Sequence, residues 1–178
     1  MTLFQAKAPT TSSNTRRSFI ARLVCLVSTR HSDPMAVHWR HQRRVEFSET
    51  DMAGIVHFSN FFRYMESAEH AFFRSLGHSV TLKDMDEVMG LPRVQAQCEY
   101  RRPLRFEDQF EIQLTIQELR PRSIRYGFRF LQINQPESPE EVATGSMTVV
   151  CVQKNEQGAM QAVVLPAVIR QRLEQALG

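Results

Sequence analysis

The residues best able to do chemistry are concentrated between Val45 and Glu66, where Asp51, Gly54, His57 and Glu66 surround the start of a periodic apolar segment. A carboxylate just ahead of a helix start can act as a nucleophile or as a general base on water. The first amides of such a helix have no intrahelical partner, and with the helix dipole they suit an oxygen that gains negative charge. Gly54, lacking a Cβ, lets the backbone come close to a reacting group. Together these features favour attack on a carbonyl with stabilisation of the resulting oxyanion. Asp51 also has a plainer reading, as a turn or N-cap aspartate that accepts backbone N–H bonds. His57 divides between a contact to substrate and an ordinary hydrogen-bonded imidazole. Glu66 shares a helical stripe with Phe62, Glu69 and Phe73, so at least one carboxylate there is expected beside apolar groups with a raised pKa. The plainer reading of Glu66 is a rim or interface glutamate with a basic partner.

Other chemistries lack their residues. Glu69-His70 supplies half of an H-x-x-E-H zinc motif, but Glu66 and Ser67 leave the first histidine missing, so no metal is expected. There is no G-x-S-x-G elbow, no G-x-x-x-x-G-K-[ST] loop and no G-x-G-x-x-G after a strand, and no cofactor is implied. Cys25, Cys98 and Cys151 are far apart and odd in number, which supports neither a disulfide framework nor a zinc site and makes a reducing cytoplasm the default.

The elements that must position these residues follow from periodicity. Val45 and Phe47 alternate with polar neighbours and read as the end of a first strand. After the turn-like Glu49–Gly54, apolar residues Phe58, Phe61, Phe62, Met65, Ala68, Phe72 and Leu76 recur at three and four, and Gly77 ends the helix. Ser59 or Asn60 is its expected cap. Four strands with period two follow, through Val94–Tyr100, Phe110–Ile116, Ile124–Phe130 and Ala143–Cys151, and Pro166 to Leu177 reads as a short terminal helix. One strand, one long helix and four strands do not make an alternating parallel α/β sheet. The order predicts an α+β fold, an antiparallel five-stranded sheet wrapped around one long helix.

Composition bounds the rest. The 178 residues fit one domain, and a hydrophobic content of 42% is ample for a core. The formal charge of +3 is unevenly placed: Lys7, Arg16, Arg17, Arg22 and Arg30 precede the first acidic residue, Asp33. From Met35 onward 17 basic residues face 18 acidic ones, so a nucleic-acid footprint has no support. Residues 1–34 read as an N-terminal extension, either a disordered tail or a targeting segment, with organellar import the lesser alternative to a cytoplasmic protein. Their apolar stretch, Phe19 to Val27, is too short to cross a bilayer, which takes about 20 residues. Residues 35–178 form the expected domain.

From about Arg43 to Val152 the sequence resembles the 4-hydroxybenzoyl-CoA thioesterase family of hotdog proteins. The likeness is carried by Asp51, Gly54, Ile55, Val56 and Asn60, and more weakly by Tyr100-x-x-Pro103 with Glu107-Asp108. The resemblance implies hydrolysis of an acyl-CoA thioester to acid and free CoA. It casts Asp51 as the carboxylate, acting through a mixed anhydride or on water, and the Phe58 backbone amide as oxyanion donor. A sister lineage carries its carboxylate on the helix, where Glu66 stands. The family assembles as dimers, often tetramers, with sites at subunit borders, and the same is expected here. CoA phosphates need basic partners, for which Arg101, Arg102 and Arg105 are candidates, although a solvated basic edge is the commoner meaning of such a cluster. Phe58, Phe61 and Phe62 either line a pocket for a short, branched or aromatic acyl group or fill the core. Two other functions compete: a non-catalytic acyl-CoA or acyl-carrier-binding module, and a hydratase or dehydratase, which wants a histidine and a carboxylate over a β-hydroxyacyl chain.

Overall fold

A computed structural model describes residues 37–82 and 89–177; the expectations for residues 1–34 lie outside them. The chain runs β1 (Trp39–Arg44), one 3-10 turn (Phe47–Glu49), α1 (Asn60–Ser75), β2 (Met89–Gly90), β3 (Arg93–Tyr100) and β4 (Gln109–Leu119). It continues through β5 (Ser123–Gln132), β6 (Glu140–Val150), β7 (Val152–Lys154), β8 (Met160–Ala162) and α2 (Ala167–Ala176). Five strands form one antiparallel sheet in the order β1-β4-β5-β6-β3, and α1 packs on one of its faces. This is the α+β arrangement of five strands around one helix that the order of elements and the hotdog resemblance imply.

Period two is what closes the core. Phe110, Ile112, Leu114 and Ile116 of β4 and Ile124, Tyr126, Phe128 and Phe130 of β5 are all buried, and the register sets Ile112 opposite Phe130 and Leu114 opposite Phe128. The stripe of α1 meets that layer ring to ring, Phe61 on Phe130 at 5.2 Å and Tyr64 on Phe110 at 4.8 Å. Gly145 of β6 allows the close approach of the helix. A Cβ there would stand 2.7 Å from the Met65 sulfur and 3.1 Å from the Gln97 carbonyl, so even alanine would force the Met65 side chain to shift.

Three expectations are corrected. β1 ends at Arg44, and Phe47 is not part of it but opens the 3-10 turn with 76% of its surface exposed. A Glu46–Glu49 capping box holds that turn, and the box outweighs the two-residue alternation that suggested a strand. The helix begins at Asn60, two residues later than its apolar period suggests, which leaves Phe58 in the loop before it. Cys151 is not in a main-sheet strand: β6 stops at Val150, and Cys151 leads into a second sheet of order β2-β7-β8 whose strands are too short for any period to show. β3 does alternate, yet most of its residues are exposed because it is an edge strand, although Arg93 and Tyr100 at its two ends reach α1. No helix among the described residues is long and apolar enough to cross a membrane.

Candidate active site

The 50–60 loop is folded by its own hydrogen bonds. Asp51 donates its N–H to the Ile55 carbonyl at 2.9 Å, Gly54 donates to the Asp51 carbonyl at 2.9 Å, and Ala53 donates to Asp51 Oδ1 at 2.8 Å. Gly54 has φ of +69°, in the region that side chains disfavour, so glycine is what lets the loop reverse there. The loop then crosses to the sheet's far connection: Val56 donates to Leu104 at 2.8 Å, and Ile55 bridges Arg105. Asn60, buried at the first turn of α1, donates from Nδ2 to the Glu49 carbonyl at 2.7 Å and so ties the helix start to the 3-10 turn. Ser59 occupies the N-cap position but makes no capping bond, because its hydroxyl pairs with His57 Nδ1 at 2.8 Å.

Beside this loop lies a cleft of about 500 Å³, within the range of small-molecule sites. Asp51, Phe58, Arg101 and Arg102 of the sequence-derived candidates line it. Its apolar walls come from Ile55, Phe61, Tyr100 and Leu104 among others. The Phe58 N–H has no hydrogen-bond acceptor among the described residues, while the Phe58 carbonyl accepts from the Tyr100 hydroxyl at 3.1 Å. Asp51 Oδ1 holds the Ala53 amide, and Oδ2 makes no bond among the described residues, so the plain turn role and a free oxygen coexist on one carboxylate. Arg101 and Arg102 pair with Glu141 and Glu140 at 3.1 and 3.0 Å, yet 55% and 60% of their side-chain surfaces stay open to solvent. A second, smaller hollow of about 280 Å³ sits over Gly127 and is polar; it lies on the sheet face away from α1.

The remaining candidates stand apart from the cleft walls. Gly54 shapes the loop, and His57 leans on Phe58 with ring centres 4.5 Å apart. Arg105 uses its N–H on Asp108 Oδ2. Glu66 sits farther along α1, half exposed, and pairs with Arg93 at 3.0 Å and His70 at 3.8 Å. One group was missed in the sequence, and one expectation is resolved by the structure. Tyr100 entered only as part of a motif, and nothing in its neighbours signals that its hydroxyl reaches residue 58. Glu69, not Glu66, is the carboxylate beside apolar groups.

Glu69 is 0% exposed, and burial pushes its pKa up to about 7 even though Arg93 binds it at 2.7 Å. Glu66, His70 and Arg93 flank it, and Tyr126 lies close by with a hydroxyl that, like Glu69 Oε1, has no hydrogen-bond partner among the described residues. The ordinary value is 4.5, so between pH 4.5 and about 7 the folded protein holds a proton that the unfolded chain has released. Stability therefore falls as pH rises through that window, by about 3 kcal/mol in all. Glu69→Gln should flatten this slope, seen as urea stability that no longer drops between pH 5 and pH 8. Parallel curves for the two proteins would refute the assignment.

The comparisons with known proteins bear on the family and the fold. Residues 45–173 match the model of the thioesterase-like superfamily. A putative esterase of Aquifex aeolicus is 43% identical over 93 residues, which is 52% of this chain and 69% of that protein. A 1,4-dihydroxy-2-naphthoyl-CoA hydrolase of Synechococcus is 32% identical over 105 residues, 54% of this chain and 69% of its own. The crystal structure of a 4-hydroxybenzoyl-CoA thioesterase variant with 4-hydroxybenzoyl-CoA superposes with a TM-score of 0.67 at 20% identity, covering 77% of this chain and 96% of that one, which speaks for the fold. With its match running from the end of β1 into α2, the chain belongs to the thioesterase-like superfamily and is a hotdog-fold thioesterase.

Proposed function

We propose that the protein hydrolyses an acyl-CoA thioester to the free acid and CoA, with Asp51 as the catalytic carboxylate and the Phe58 amide as oxyanion donor. The observation that supports this reading is the cleft before α1, lined by Asp51 and Phe58, of which one carboxylate oxygen and the backbone N–H make no hydrogen bond among the described residues. Asp51 attacks the thioester carbonyl, CoA leaves as thiolate and takes up a proton, and water opens the acyl-aspartyl anhydride. Alternatively, Asp51 takes the proton of a water that attacks directly. Negative charge gathers on the carbonyl oxygen by either route, facing the Phe58 N–H and the positive end of α1.

The aromatic walls, Phe58, Phe61 and Tyr100, suit a planar acyl group, in keeping with the naphthoyl-CoA named for the Synechococcus relative. Arg101 and Arg102 offer exposed guanidinium groups at the cleft mouth for CoA phosphates. Thiol release from a panel of benzoyl-, naphthoyl- and straight-chain acyl-CoAs tests both parts. Aryl thioesters should show the higher kcat/KM, and a reversed ranking would remove the acyl assignment. One observation favours the competing reading of a non-catalytic acyl-CoA or acyl-carrier module: the bond from Ala53 gives Asp51 a purely structural use. That reading gains if no thioester of the panel is turned over.

Assembly as a homodimer or homotetramer, in the cytoplasm, completes the proposal. Ala96, Cys98 and Tyr100 of β3 lie on the sheet face that elsewhere packs on α1, but none of them is buried, and the outer edge of β3 has no strand beside it among the described residues. A second subunit is the expected cover. Sedimentation at micromolar concentration should give two or four copies, and a stable monomer would contradict it.

A further inference from the structure

We infer that Tyr100 is a positioning residue for the oxyanion amide, holding residue 58 in place through its hydroxyl; the inference rests on the role given to Phe58 above. Residue 58 belongs to neither the helix nor the sheet. It is 59% exposed; its carbonyl accepts the Phe61 N–H at 3.3 Å and the Tyr100 hydroxyl at 3.1 Å, while the His57 carbonyl, in the same peptide plane as the residue 58 N–H, accepts from the Asn60 N–H at 2.9 Å. The first is a long bond within the loop-to-helix transition. The second comes from the end of β3, a rigid strand paired along its length with β6, and so ties the loop to the sheet. A donor that stabilises an oxyanion contributes only if it is aimed before the charge develops, and a loop amide has no such aim by itself.

The hydroxyl is itself held. The Tyr100 ring packs edge-on against Phe61 at 5.1 Å, on the first turn of the same helix, and Cys98 stands two residues back on the same face of β3. Partial desolvation of the half-exposed ring pushes the phenol up to about 12, so it stays protonated throughout the working range of pH. Tyr100 also lines the cleft, where its ring borders the space given to the acyl group while its hydroxyl is used on the backbone. Ring and hydroxyl thus have separable tasks, packing and aim.

Tyr100→Phe separates them, since it keeps the ring against Phe61 and removes only the bond to residue 58. Steady-state thiol release should show kcat lower by about tenfold, a fraction of what losing a whole oxyanion donor costs. KM should stay within about twofold and the thermal midpoint within a few degrees. The pH profile of kcat should keep its shape, because Tyr100 does not titrate in the reaction. An unchanged kcat, or a loss confined to KM, overturns the inference. Tyr100→Leu, which loses ring and hydroxyl together, should lower kcat and raise KM; the same kinetics as Tyr100→Phe would show that the ring has no separate task. Asp51→Asn is run alongside: if it keeps full turnover, the reading of the whole site fails independently of Tyr100.

Discussion

Asp51→Asn should lower kcat by about 10³-fold, the middle of the range a positioned general base supplies, while KM should stay within about threefold. The substitution isolates chemistry from architecture. Asparagine keeps an oxygen at the position of Oδ1, so the Ala53 amide retains its acceptor and the loop through Gly54 its shape. What it loses is the charge and the nucleophilic second oxygen. If the aspartate served only its turn, the variant would turn over thioester as the parent does. Unfolding in urea should place it within about 1 kcal/mol of the parent, as expected for a surface change that preserves a local bond.

Phe61→Ala is the largest stability change expected, about 3 to 5 kcal/mol. Phe61 is buried where helix, sheet and cleft meet, with Tyr64, Tyr100 and Phe130 packed around it at centroid distances of 5.1 to 5.8 Å. Truncation leaves a void bounded by three rings that are each fixed by other contacts and cannot collapse into it. Because the same ring walls the cleft, turnover falls with stability, whereas Phe61→Leu, which keeps most of the apolar volume, should fall between parent and alanine. A loss below about 1 kcal/mol for Phe61→Ala in urea unfolding would show that the ring is not the joint between α1 and the sheet.

The fold was legible where a regular period runs long enough to be counted. β4, β5 and α1 each bury an uninterrupted stripe, and their residues announced it. Where hydrogen bonding of the loop decides, period misled: Phe47 and Phe58 look like members of a strand and a helix, and both lie outside them. The small sheet of β2, β7 and β8 has strands of two and three residues, too short to carry any alternation. Of the proposed site, Asp51 stood out as a carboxylate just before a helix start, a feature of adjacent residues, whereas the Phe58 amide entered only through the family resemblance. The reach of Tyr100 to Phe58 spans 42 positions and depends on how the end of β3 lies over α1, which no window of sequence contains. Glu66 and Glu69 share one helical stripe, and only the packing of α1 against β5 decides that the second is buried close to Tyr126 while the first stays at the surface with Arg93.

The central claim is hydrolysis, and product analysis tests it most directly. The purified full chain is incubated with an aryl-CoA such as benzoyl-CoA, and free CoA thiol and carboxylic acid are quantified together by mass spectrometry. One thiol and one acid should appear per thioester consumed, over many turnovers and without added metal or cofactor. Acyl-CoA that binds the protein but is recovered intact, across aryl and straight-chain thioesters alike, would contradict it.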